Sequence, residues 1–171
     1  MYRLSRRKVF VSYHHGGDLE YYESFVGISS NFYSLVQDHS VGRFIGSADP
    51  DYVIRRIRED HLRGVSVTVV LCGRNTLGRK YVDWEILASL NQEMGLIGLN
   101  LPANVREPNG KYVVPCRLHD NIGSTCASFL FWDSLMENPS LLISGMEEAL
   151  SRSKTIIANW RPRQLGNAHL R

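Results

Sequence analysis

Val65-Ser66-Val67-Thr68-Val69-Val70-Leu71 runs into Cys72-Gly73-Arg74-Asn75-Thr76 and then into Gly78-Arg79-Lys80-Tyr81-Val82-Asp83-Trp84-Glu85-Ile86-Leu87-Ala88-Ser89-Leu90. This stretch decides the fold. The first segment is almost continuous Val, Thr and Leu, the pattern of a strand covered on both faces of a sheet. The second is a cluster of turn residues. The third sets Val82, Ile86, Leu90 and Met94 four apart, the stripe of a helix that faces a core and reaches about Met94. Glu85 falls in the first turns of that helix, one turn after Tyr81 and one before Ala88 and Ser89. On this stretch alone it reads as a solvated glutamate near the positive end of the helix dipole.

Toward the N-terminus, Val9-Phe10-Val11-Ser12-Tyr13 reads as a buried strand that ends in the loop His14-His15-Gly16-Gly17-Asp18. Asp18 is the expected N-cap of a helix from Leu19 to about Val26. Phe32 to Val36 reads as a second strand, followed by a long loop. Asp49-Pro50 is a strong helix start, with the cap residue followed by proline at the first helical position. That helix is expected to run to Arg63, with Gly64 in the left-handed position that ends it.

Beyond the Glu85 helix, Leu96-Ile97-Gly98-Leu99 is a further apolar run, and Leu101 to Tyr112 is a surface excursion rich in Pro, Asn and Gly. Val113-Val114-Pro115 resumes an extended path, Ala127 to Trp132 reads as a late strand, and Asn138-Pro139-Ser140 opens a last amphipathic helix through Leu142, Met146 and Leu150. The tail from Trp160 lacks periodicity, and both a loose and a packed tail fit it.

Strands alternating with helices predict an α/β doubly wound domain of flavodoxin-like type. The expected sheet has about five parallel strands in the order 2-1-3-4-5, with helices on both faces and a ligand crevice where the order reverses, between strands one and three. The loops there are Tyr13 to Asp18 and Gly73 to Lys80. Glu85 begins its helix just beyond the second, which raises its weight as a pocket residue. The expected organisation is one domain over 1–171, with its core at about 8–158 and a tail at 159–171.

Composition narrows the function. At 171 residues, 43% hydrophobic and 22% charged, the chain has the makeup of an ordinary globular domain. A net charge of +3 from scattered arginines, densest at Arg55, Arg56, Arg58 and Arg63, is too mild to point to nucleic acid. Three cysteines, Cys72, Cys116 and Cys126, with no Cys-x-x-Cys pair, fit a reducing compartment, so the expected location is cytoplasmic. Cys116, His119 and Cys126 lack a fourth ligand at suitable spacing, and no metal is expected. No run approaches the ~20 apolar residues of a membrane span. The crevice carries no Walker loop, no Gly-x-Gly-x-x-Gly after strand one and no paired acids of a receiver domain.

Lys8-Val9-Phe10-Val11-Ser12-Tyr13-His14, the Val65–Leu71 strand before Gly73, and Gly78 to Ile86, taken in order, resemble a TIR-like domain. The likeness is to the ThsB proteins of the Thoeris antiphage defence system, and it spans Lys8 to about Trp132. The resemblance implies an enzyme that takes NAD as substrate, with no further cofactor, and releases nicotinamide. The implied product is an ADP-ribose-derived signal nucleotide, cyclic in the favoured version, that activates a downstream effector protein. A phage-derived trigger and a homo-oligomer belong to the same expectation.

By that resemblance the catalytic residue is Glu85. Phe10, Ser12, Tyr13, His14, Asn75, Tyr81 and Trp84 are the candidate substrate-binding residues, and Arg43 or Arg74 is a candidate extra charge by position. The family often carries Trp four residues before the glutamate. Here Tyr81 stands there and Trp84 directly precedes Glu85. Each binding residue also has a packing alternative: Phe10 fits a core, Ser12 and Tyr13 a strand end, His14 a solvated turn, and Asn75 a simple turn. Two other functions fit the residues, a non-catalytic TIR-like scaffold and a nucleoside deoxyribosyltransferase with a nucleophilic glutamate.

Overall fold

The computed structural model describes residues 7–30, 34–35 and 47–168. Five parallel strands form one sheet in the order β2-β1-β3-β4-β5: β1 Lys8–Ser12, β2 Ser34–Leu35, β3 Val65–Cys72, β4 Gly95–Asn100 and β5 Ala127–Phe131. Four are full strands and β2 is a two-residue edge. The pairs Phe10↔Thr68, Ser12↔Val70 and Val70↔Gly98 set the register of the three central strands. The doubly wound sheet with its reversal between β1 and β3 is the architecture that the alternating strands and helices predicted.

Because side chains alternate along a strand, each central strand feeds two cores. Val9, Val11, Val67, Val69, Leu71, Ile97 and Leu99 face α1 (His15–Ser29), α5 (Trp132–Glu137) and α6 (Ser140–Ser151), and meet Phe25, Leu135, Leu142 and Met146. The opposite face is covered by α2 (Pro50–Arg56), α3 (Lys80–Asn91) and α4 (Cys116–Gly123). There Phe10 packs with Val53, Ile57, Leu62, Trp84 and Ala88, while Val70 and Leu96 pack with Val82, Ile86, Leu90 and Leu118. Each large side chain fully buried in this way contributes roughly 1.5–3 kcal/mol.

Several boundaries differ from the sequence reading. The first helix begins at His15, capped by the extended residue His14, whose carbonyl accepts from Asp18 N at 2.9 Å. Asp18 is therefore inside the helix and buried, not its N-cap. Asp49 does cap α2, accepting from Asp51 N at 3.1 Å, but the α-helix stops at Arg56 and a π-helical turn, Ile57–His61, carries the chain onward. Gly64, at φ +75°, turns the chain into β3 in the left-handed region expected of it.

α3 ends at Asn91, so Met94 lies past the helix and packs with Phe10 and Trp84 instead of extending the Val82 stripe. Trp132 opens α5 and does not end β5. Directly after the extended Val113-Val114-Pro115 stands α4, a helix the sequence reading left out. The predicted second strand is described only at Ser34 and Leu35; Phe32, Tyr33, Val36, the loop after it and Arg43 lie outside the described residues. The tail packs back over the start of α3, so of the two alternatives the packed one holds.

Candidate active site

Ser12 is the last residue of β1, on the face covered by α3. Its hydroxyl donates to Glu85 Oε2 in a short hydrogen bond. Both residues are buried, Ser12 at 1% and Glu85 at 5% exposure, which removes the reading of Glu85 as a solvated helix residue. A carboxylate taken this far from water requires partners, and its helix backbone is also tied down. Ser89 Oγ donates to the Glu85 carbonyl at 2.8 Å, leaving Thr68 Oγ1 on β3 to donate to Ser89 Oγ at 2.7 Å. Glu85 is thus held from β1 through its side chain and from β3 through its backbone, at the reversal point of the sheet.

The remaining candidates divide around it. Phe10 shares the face of Ser12 but is wholly buried in the core under Trp84, with its ring 6.3 Å from that of His61. Tyr13 points to the opposite face, stacked on Tyr22 at 4.5 Å and 9°. Tyr81, half-buried, meets Trp84 edge-on at 5.3 Å, and Lys80 Nζ lies 5.0 Å from the Tyr81 ring centroid. Trp84 is buried and donates from Nε1 to the Gln164 carbonyl at 2.7 Å. Asn75 is exposed in the β3–α3 loop, and its carbonyl accepts from Arg79 Nε at 2.9 Å.

His14, at the start of α1, is electrostatically coupled to Arg79 from the other crevice loop. Partial burial pushes its imidazole below the usual histidine range, and Arg79 and His15 lower it further. Both effects favour the uncharged form of the ring.

A second buried group joins the two loops. Asp18 on α1 accepts from Thr76 Oγ1 at 3.1 Å, and Thr76 Oγ1 accepts from Gly73 N at 2.8 Å. The carboxylate occupies the space a side chain at Gly73 would need, so only glycine fits there. Burial raises the Asp18 pKa, with the Thr76 hydrogen bond acting against it, and burial together with Asp18 raises that of Cys72.

Among the described residues, cavities open on the α3 side. One of about 490 Å³ is lined by Tyr52, Arg55, Arg58, Leu87, Asn91 and Arg163 among others. Another, about 300 Å³, sits between Arg79, Cys116 and the tail residues Arg161 and Gln164. Neither is lined by Glu85. The Glu85 carboxylate instead points to Ser12 at the C-terminal end of β1. Among the described residues no three His, Cys, Asp or Glu side chains gather as a metal site, and no helix is long and apolar enough to cross a membrane.

The sequence offers Asp18 as an N-cap and Thr76 as a turn residue, and it marks no role for Asp83 or Arg117. Arg117 is wholly buried in α4 and pairs with Asp83 through Nε to Oδ1 at 2.8 Å and NH2 to Oδ2 at 3.2 Å. The only signal for that helix was Leu118 and Ile122 four apart, and nothing local marks Arg117 as buried.

A parallel doubly wound sheet, with a helix-borne glutamate locked to the end of the first strand, defines a TIR-like α/β protein. The family model described as Thoeris protein ThsB, TIR-like domain, matches residues 10–106, and the chain belongs to that family. It is thus a Thoeris-associated TIR-like protein, of a system whose members act with partner proteins in defence. No curated protein matches the chain.

Proposed function

We propose that the protein cleaves NAD at the nicotinamide–ribose bond and passes the ADP-ribosyl group to an acceptor, making a signal nucleotide for a partner effector. The observation that carries this reading is the buried Ser12–Glu85 hydrogen bond at the sheet's reversal point in a chain of this family. Cleavage breaks the bond between ribose C1′ and the pyridinium nitrogen, whose electron pair leaves with neutral nicotinamide. The sugar is left as an oxocarbenium-like cation. A preorganised carboxylate in a desolvated site stabilises that charge and accepts hydrogen bonds from ribose hydroxyls.

Ser12 fixes the rotamer of Glu85 so that the carboxylate does not have to reorganise during the step. The acceptor, an atom of the same nucleotide for a cyclic product, forms the new bond to C1′ and releases its proton. His14 and Arg79 lie where the pyrophosphate would enter, at the start of α1 and the end of the β3–α3 loop. Asn75 and Tyr81 are the accessible groups on the loop side. Phe10 and Trp84 act from below as the packed floor, and Tyr13 acts through the fixed entry of α1.

The test is nicotinamide release from NAD by the wild type and by Glu85→Gln, with mass spectrometry of the nucleotide. Release by the wild type alone supports the reading, and the product mass separates cyclisation from hydrolysis or conjugation. Absence of release, persisting in extract from phage-infected cells, replaces it with the scaffold function.

A further inference from the structure

The residue before the first helical position of α3, Arg79, makes no side-chain cap, so the helix lacks the local device that ordinarily satisfies its first amides. The cap comes from far along the chain. Lys80 N donates to Asn167 Oδ1 at 3.1 Å, and Ala168 N donates to the Gly78 carbonyl at 2.8 Å. Gln164 makes three bonds to this segment: its backbone N donates to Asp83 Oδ2 at 2.8 Å, its carbonyl accepts from Trp84 Nε1, and its side chain donates to the Gly78 carbonyl. Every one of these contacts falls on residues 78–84, the segment that delivers Glu85.

Arg117 holds the other end of this strap. Its guanidinium directs Nε and NH2 to the two oxygens of Asp83, NH1 to Asn159 Oδ1 and to the Arg161 carbonyl at 2.8 and 2.9 Å, and NH2 also to the Pro162 carbonyl at 3.2 Å. Five donors in a rigid fork meet five acceptors, a geometry lysine cannot reproduce. Arg161 in turn forks onto Asp120 at 2.8 and 2.9 Å, fastening the strap to α4 as well.

We infer that Arg117 is a positioning residue for Glu85, acting through the 161–168 strap and Asp83 to set the start of α3. This inference rests on the proposed NAD chemistry for its catalytic consequence and on the hydrogen bonds alone for its structural one. A carboxylate two residues beyond Asp83 moves with that turn, and a displacement of about 1 Å at a reacting group costs on the order of 100-fold in rate. Because Arg117 is wholly buried, its loss is expected to act on turnover more than on substrate binding.

The experiment uses the whole chain as wild type, Arg117→Lys and Gln164→Pro, the second removing both the backbone amide that donates to Asp83 and the side chain that donates to the Gly78 carbonyl. Hydrogen exchange at residues 80–86 and kcat and KM for nicotinamide release are measured for each. Both variants are expected to keep β3 and β4 protected and to exchange about tenfold faster at 80–86. Their kcat is expected to fall at least about tenfold, with KM changing less than about threefold.

Faster exchange with unchanged kcat overturns the inference, because the strap is then only structural. Unchanged exchange at 80–86 in both variants overturns it as well. A wild type that releases no nicotinamide defeats the proposed function instead. Exchange then decides alone whether Arg117 sets this turn.

Discussion

Asp83 and Glu85 are two buried carboxylates on the same helix, two residues apart, and the protein treats them in opposite ways. Asp83 points to α4 and meets the guanidinium of Arg117 with both oxygens, while also accepting from the tail at Gln164 N. Glu85 points across the sheet's reversal point and takes the hydroxyl of Ser12. A helix turns about 100° per residue, so a two-residue step carries a side chain to roughly the opposite side of the helix. The Asp83 side is a joint between secondary elements, built from a fork that satisfies a buried charge. The Glu85 side is a carboxylate kept in position by a small neutral donor, the arrangement that the proposed function asks of a group facing a developing positive charge.

The largest expected effect falls on the Glu85 side. Glu85→Gln keeps an oxygen for Ser12 to donate to, so the thermal midpoint stays near the wild type's, while nicotinamide release drops by about 10²–10³-fold. A well-folded variant with retained release breaks the comparison, since Glu85 would then be structural like Asp83.

On the Asp83 side the same kind of damage appears as stability. Arg117→Met leaves the Asp83 charge buried without its counter-ion and lowers unfolding free energy by about 3–5 kcal/mol in urea titration. Asp83→Leu combined with Arg117→Met loses clearly less than the sum of the two single changes, because the orphaned charge is gone. Strict additivity would mean the pair is not the joint described.

A smaller effect is expected at the outer helix. Asp49→Ala removes the cap on Asp51 N and costs about 1 kcal/mol by the same titration, without altering turnover.

The smallest sharpens the contrast through pH. Asp18 has a folded pKa raised above its ordinary 3.8 by burial, so its contribution to stability is present below that value and is lost as pH rises through the folded pKa. Asp18→Asn therefore raises the thermal midpoint at pH 7, by roughly a degree or two, and the gain fades as the measurement is moved toward pH 4. A gain that persists at low pH would point to packing against Gly73 in place of charge.

Much of this fold could be read directly. The β-branched run Val65–Leu71, the Asp49-Pro50 start and the four-residue stripe Val82, Ile86, Leu90 are local patterns, and the elements they predict are present. The strand order followed from alternation and crossover handedness. The errors lie where a local signal had a tertiary competitor. Asp18 has the chemistry of an N-cap, yet the helix begins at His15 with His14 as its cap, and Asp18 is drawn under Gly73 and Thr76. The helix at Cys116–Gly123 is only eight residues long, follows a proline and sets the buried Arg117 beside just two large apolar residues, Leu118 and Ile122, a stripe too short to stand out.

For the site, family resemblance singled out Glu85 and the reversal point supplied its surroundings, but partners could not be read at a separation of 73 positions, where Ser12 stands. The residues beside Glu85 divide by strand parity, which sends Phe10 and Ser12 to the α3 face and Tyr13 to the other.

By itself the sequence determined the main periodicities, the Asp49 cap and the order of the strands, because these depend on residues within a few positions of one another. The tertiary structure decided which of two neighbouring carboxylates became a joint and which faced the crevice. It also brought an aperiodic tail to cap a helix begun more than 80 residues earlier. Those outcomes depend on long-range geometry, where a donor gains a partner only after the sheet has closed and the helices have docked on it.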